Sequence, residues 1–106
     1  MSLKHRIIEQ FDPNGVSTYE GIFGLPFNEE TADLIIIPVP WEVTVSYSPG
    51  TADGPDAVLN ASYQVDLFQS DIHDAWKMGI HMLPVSNEIH NLSSSHRILA
   101  RNYIQW

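Results

Sequence analysis

Apolar residues cluster most densely at Leu34, Ile35, Ile36, Ile37 and Val39, a run without polar alternation. Such a run fits a strand over 33–39 buried on both faces, as in the middle of a parallel sheet flanked by helices. Pro38 and Pro40 lack a backbone donor, so regular pairing should fade by about Pro38. A long loop of polar and aromatic residues follows, and Gly54-Pro55-Asp56 then opens a helix. Proline is preorganised for the first helical position, and Asp56 suits the positive end of the helix dipole. Val58, Ala61, Ser62 and Val65 recur at i, i+3, i+4 and i+7, which predicts a face turned toward the sheet. After a polar, acidic stretch from Asp66 to Asp74, Met78 to Pro84 reads as a second short strand. Asn91 or Ser93 is the expected cap of a last helix, with Leu92, Ile98, Leu99, Tyr103 and Ile104 as its apolar positions.

Residues 1–32 contain turn signals, notably Asp12-Pro13-Asn14-Gly15, and scattered aromatics without sustained periodicity. They are expected to form an irregular N-terminal arm over the body made by residues 33–106. The helical pattern is still running at Trp106, with no stop signal. Together with only two predicted strands, this suggests the front piece of a larger domain.

Composition narrows the function classes. Thirteen acidic against five basic side chains give a formal charge of −8. That disfavours nucleic acid, whose non-specific affinity rests on phosphate neutralisation by Lys and Arg, and equally an anionic membrane surface. It suits a cationic ligand or a divalent metal. The absence of cysteine removes disulfides, thiolate metal sites and cysteine nucleophiles. No apolar run approaches the roughly 18 residues of a transmembrane helix. The N-terminus lacks a signal-peptide core, so a cytoplasmic protein is expected.

The loop after the first strand carries a recognisable text. Pro38-Val39-Pro40-Trp41-Glu42, Thr44, Ser46-Tyr47, Pro49-Gly50-Thr51, Gly54-Pro55-Asp56-Ala57-Val58 and Ala61-Ser62 resemble the first strand, loop and helix of the ureohydrolases. This is the arginase, agmatinase and formimidoylglutamase family, and the similarity is strongest to agmatinase-like members. Asp66-Leu67-Phe68 and Trp76-Lys77 with Gly79-Ile80 extend it, so it covers about residues 10–106. Gly50 and Gly54 would let the loop fold back tightly. Ser48 stands where the family often has a basic residue, and Thr51-Ala52-Asp53 replaces a commoner triplet. The resemblance implies an α/β fold, the N-terminal part of a three-layer α/β/α arginase-like domain with a mainly parallel sheet. It also implies two manganese ions that activate a water to attack a guanidinium carbon. The family's ligand motifs, G-G-x-H-S, D-A-H-x-D and S-x-D-x-D-x-x-D-P, do not occur in this sequence. No metal is therefore expected to bind this chain alone, and it is expected to be inactive alone.

Ligands of open α/β sheets bind beyond the carboxyl ends of strands, which makes the loop the candidate site. Trp41, Glu42, Thr44, Ser46 and Tyr47 could rim a pocket there, Glu42 attracting a guanidinium or amine through charge-assisted hydrogen bonds. Alternatively, Trp41 and Tyr47 pack the loop onto the sheet and Glu42 stands in solvent. Asp71-Ile72-His73-Asp74 superficially resembles a ligand motif, but its place after the first helix favours a solvated acidic loop. His5, His90 and His96 read as surface residues, and His81 as a packed histidine. Neither a nucleophile elbow, a dinucleotide fingerprint nor a phosphate loop is present. The leading expectation is the N-terminal segment of a manganese-dependent ureohydrolase acting on a small guanidino or formimino compound. Its rivals are a non-catalytic assembly module and a binding domain for a small cation. An incomplete sheet has an edge open to pairing, so a homo-oligomer is expected on either of the first two.

Overall fold

The structure is a computed structural model, which describes residues 2–45 and 47–103. The chain groups into two units, Met1–Ile36 with Leu59–Leu83 and Ile37–Val58 with Pro84–Trp106. The architecture is α/β, with a two-stranded sheet and three α-helices among the described residues.

The first unit begins with α1, Leu3–Gln10. Ser2 caps it, its hydroxyl accepting from the His5 N–H at 3.2 Å, one of the donors that a helix start leaves unpaired. The arm is therefore less irregular than its turn signals suggest. A capped helix of two turns can persist because Ile7, Ile8 and Phe11 pack on the core formed by Leu25, Phe27 and Trp76. The Phe11 and Trp76 rings lie 5.1 Å apart, and Phe27 and Trp76 6.4 Å apart, both tilted. Lys4 adds an ion pair to Asp33 at 2.9 Å. At the end of the arm, Asn28 turns the chain. Its side-chain oxygen accepts from the N–H groups of Glu30 and Thr31 at 2.9 and 3.0 Å, and Thr31 is buried.

That turn delivers the chain into β1, Leu34–Ile36, which pairs in parallel with β2, Ile80–Met82. The register sets Leu34 against Ile80, Ile35 against His81 and Ile36 against Met82. The pairing is extended at both ends. The Gly79 carbonyl accepts from Asp33 and Leu34 at 3.0 and 3.1 Å, and the Leu83 N–H donates to Ile36 at 2.9 Å. Both strands are shorter than their apolar runs. The expected burial of the first strand is also corrected: Leu34 is 44% and Ile35 36% exposed. Burial on both faces requires a layer over each, and the described residues do not supply it.

The second helix, α2, runs Gly54–Ser62 and follows a single 3-10 turn over Thr51–Asp53. Of the four positions expected to face inward, Val58, Ala61 and Val65 are exposed, Val58 at 59% and Val65 at 52%, and Ser62 alone is buried. That buried position is placed by hydrogen bonding. The Ser62 hydroxyl accepts from the Phe23 N–H at 2.9 Å and donates to the Leu59 carbonyl at 2.6 Å. In the second unit, α3 runs Asn87–Tyr103. Its cap is Ser86, which accepts from the Ile89 N–H at 3.2 Å, so Asn91 and Ser93 are interior rather than capping.

Candidate functional site

The loop from Ile37 to Asp53 lies wholly within the second unit, as does α3. Pro40 is almost fully buried, and the chain reverses around it through the Trp41 N–H donating to Val39 at 2.9 Å. This brings Glu42 inward. Its carboxylate accepts from the Gly50 N–H, at 3.1 Å to the nearer oxygen, and from the Ala52 N–H at 3.2 Å. Arg97 of α3 donates to the same carboxylate at 3.2 Å, and the Glu42 side chain is only 10% exposed. The main chain of Glu42 is held as well. Its N–H donates to the Ser93 hydroxyl at 2.8 Å, and that hydroxyl donates to the Glu42 carbonyl at 3.1 Å. Ser93 is buried.

These contacts lower the pKa of Glu42 below its ordinary value. The Gly50 N–H contributes most, then the Ala52 N–H; burial opposes them, and the charges of Arg97 and His90 add to the lowering. Donors that bond the ionised form favour it, so the carboxylate is held charged. Gly50 has φ +130°, a backbone region open to glycine, and its N–H is thereby aimed at Glu42. Gly54 has ordinary helical angles and does not use that freedom.

The five candidate rim residues thus separate. Trp41 is 42% exposed, with its ring 5.7 Å from that of His96. Thr44 is exposed, and Tyr47 is 97% exposed. Glu42 is engaged by the loop and by α3. Ser46 lies outside the described residues. Ser93 and Arg97 were missed by sequence reasoning, although a signal was present. His90, Ser93 and Arg97 recur at i, i+3 and i+7, a polar stripe along one face of α3.

Elsewhere, Asp74 adopts a left-handed conformation with φ 52° and pairs with Lys77 at 2.9 Å and His73 at 3.1 Å. The hydrogen bond from Lys77 is the main cause that lowers its pKa. The His73 side chain is 95% exposed. His81 is half-buried in β2, and His5 lies 3.5 Å from Glu9. A cleft of about 450 Å³ beside Trp76 includes Glu9 and Asp74 in its wall, and both are engaged by basic partners. Among the described residues, no three His, Asp or Glu side chains converge as a metal site would require. The described residues therefore do not by themselves offer a donor set that fits a pair of manganese ions. No helix among the described residues is long and apolar enough to cross a membrane.

Comparison with known proteins places this strand, loop and helix in context. The N(1)-aminopropylagmatine ureohydrolase of Thermus thermophilus is 33% identical over 72 residues, covering 66% of this chain and 25% of that protein. The enzyme of the same name from Synechocystis is 39% identical over 41 residues, covering 39% of this chain and 13% of its own length. The chain therefore spans about a quarter or less of these curated relatives. No solved structure matches it at a significant level. Residues 32–101, which contain the loop, Glu42, Ser93 and Arg97, match the family described as the Arginase family, and the chain belongs to that family.

Proposed function

We propose that this chain forms the first strand, loop and helix of an agmatinase-like ureohydrolase that hydrolyses a linear guanidino or formimino compound. The observation that carries this is the family match over residues 32–101 combined with an ordered loop beyond β1. Relatives that carry the same stretch are named for the cleavage of an aminopropylated guanidino compound. In this reading the complete enzyme is a cytoplasmic homo-oligomer holding two manganese ions. Its strand, loop and helix belong to a three-layer α/β/α domain. The rim of its pocket is formed by the loop that carries Trp41, Glu42, Thr44, Ser46 and Tyr47. The metal ligands come from segments outside these residues, so residues 1–106 alone do not turn over substrate.

Two measurements test this. The 106-residue protein, incubated with manganese and agmatine, should release no urea, and calorimetry should find no pair of micromolar manganese sites. Grafting residues 32–101 into the Thermus relative in place of its matching segment should preserve manganese-dependent urea release. A folded, metal-loaded graft that is inert would sink the proposal.

A non-catalytic assembly role is the second reading, favoured by exposed apolar side chains along one stretch. Ile37 and Val39 are 68% and 57% exposed. Such a stretch invites another chain. Sedimentation showing a discrete oligomer, together with an inert graft, would favour it over the enzyme segment.

A further inference from the structure

Glu42 was a natural candidate to receive a cationic substrate, yet every part of it is already used. Its carboxylate holds the N–H groups of Gly50 and Ala52 and the Arg97 guanidinium. Its own N–H and carbonyl are both bonded to the buried Ser93 hydroxyl. One side chain thereby ties together two parts of the loop eight to ten residues apart and a helix more than fifty residues downstream. We infer that Glu42 is a positioning residue rather than a substrate contact: with Ser93 and Arg97 it clamps the Pro49–Asp53 turn onto α3 and so restrains the loop that carries the exposed Thr44 and Tyr47.

The chemistry favours a clamp over a receptor. A carboxylate that accepts two backbone N–H groups and one guanidinium has most of its acceptor capacity filled. A substrate amine would have to displace Arg97, which carries the same charge and is already tethered. Binding sites gain from such preorganisation because the loop's ordering cost is met during folding, before ligand arrives. The groups facing the carboxylate are Arg97 and His90 from α3 and the two N–H groups from the loop. All four favour the ionised form.

This inference deepens the rim reading above and rests on it only for its functional consequence; the clamp itself can be tested without substrate or turnover. In the 15N-labelled 106-residue protein, the Gly50 and Ala52 amides should exchange about tenfold faster in Glu42→Ala, with exchange within α3 little changed. Glu42→Gln keeps the shape and one acceptor, so it should restore part of the protection and remain folded if the alanine variant does not. The Gly50 and Ala52 amide shifts should titrate together with an inflection below the ordinary glutamate range. That inflection should move upward in Arg97→Gln and vanish in Glu42→Gln. Millimolar agmatine should leave these two amide signals in place. Unchanged exchange at Gly50 and Ala52 in folded Glu42→Gln and Glu42→Ala would overturn the clamp. So would displacement of both signals by agmatine, which would make Glu42 a receptor. Failure of the rim reading would appear differently, as an inert graft with the clamp signals intact.

Discussion

Replacing Gly79 by alanine should be among the most damaging single-methyl changes in the first unit. Gly79 sits one residue before β2 with φ +83° and ψ 120°, outside the small left-handed region that other residues can enter. Holding an alanine in such a conformation costs about 1–3 kcal/mol. The added Cβ would also stand 2.9 Å from the Thr31 carbonyl oxygen, 3.0 Å from the Ala32 Cα and 3.2 Å from the Phe27 ring. Two of these three neighbours are backbone, so they yield only by shifting the strand entrance. There the Gly79 carbonyl receives the Asp33 and Leu34 N–H groups. Overpacking of this kind adds about 1–3 kcal/mol. A combined loss near 3 kcal/mol is a large part of the roughly 5–15 kcal/mol that stabilises an ordinary domain. With a urea slope of about 1.5 kcal/mol per molar, the midpoint should fall by about 2 M. The β1 and β2 amide signals in urea-titrated NMR spectra report on this unit directly. Gly15→Ala is the internal control. Its nearest contact is the Asp12 carboxylate at 3.0 Å, a movable side chain, and its loss should stay below about 1 kcal/mol. If the two variants unfold at the same urea concentration, the steric reasoning at the strand entrance is wrong.

Ser62→Ala removes the acceptor for the Phe23 N–H in a buried setting, and should cost about 1–3 kcal/mol by chemical denaturation. Restoration of full stability by Ser62→Val would contradict that, since valine fills space but accepts no hydrogen bond. Ser86→Ala removes the cap of α3 and should lower stability by about 1 kcal/mol, with fraying visible at Asn87–Ile89 in amide exchange. Acid should weaken both units. Glu42 and Asp74 have folded pKa values below their ordinary values of 4.5 and 3.8. Their stabilisation is therefore fully present above those values and is lost as pH falls through the folded ones. A stability curve flat from pH 6 down to about pH 3 would refute the assignment of these two groups.

The order of elements from β1 onward was legible in the sequence because it depends on short-range chemistry, whereas α1, Leu3–Gln10, was not. The apolar run announced β1, Gly54-Pro55 announced α2, and the text between them announced the family, since a turn of that kind needs particular residues at particular places. Parallel pairing also followed, because the connection is too long for a hairpin. The exposure of Leu34, Val58 and Val65 was not legible, since a hydrophobic pattern reports what a strand or helix can bury and not which layer is present to cover it. The start of α3 was misplaced for a related reason: Ser86, Asn91 and Ser93 are all competent caps, and local preference alone does not rank them.

The role of Glu42 shows where the division falls. Sequence determined that an acidic side chain follows the proline-bounded strand end and that a glycine-rich turn comes eight residues later. The sequence also predicted a last helix, but with its cap at Asn91 or Ser93, so the face shared by His90, Ser93 and Arg97 emerged only with the observed start of α3 at Asn87. Only the tertiary structure brought that face against the loop, with Arg97 at 3.2 Å and Ser93 bonded to both sides of the Glu42 main chain. Hydrogen bonds and ion pairs act over a few ångströms, whereas these partners lie 51 to 55 residues apart along the chain. Whether a carboxylate receives a ligand or holds a loop is therefore decided by folding, not by the residue's identity.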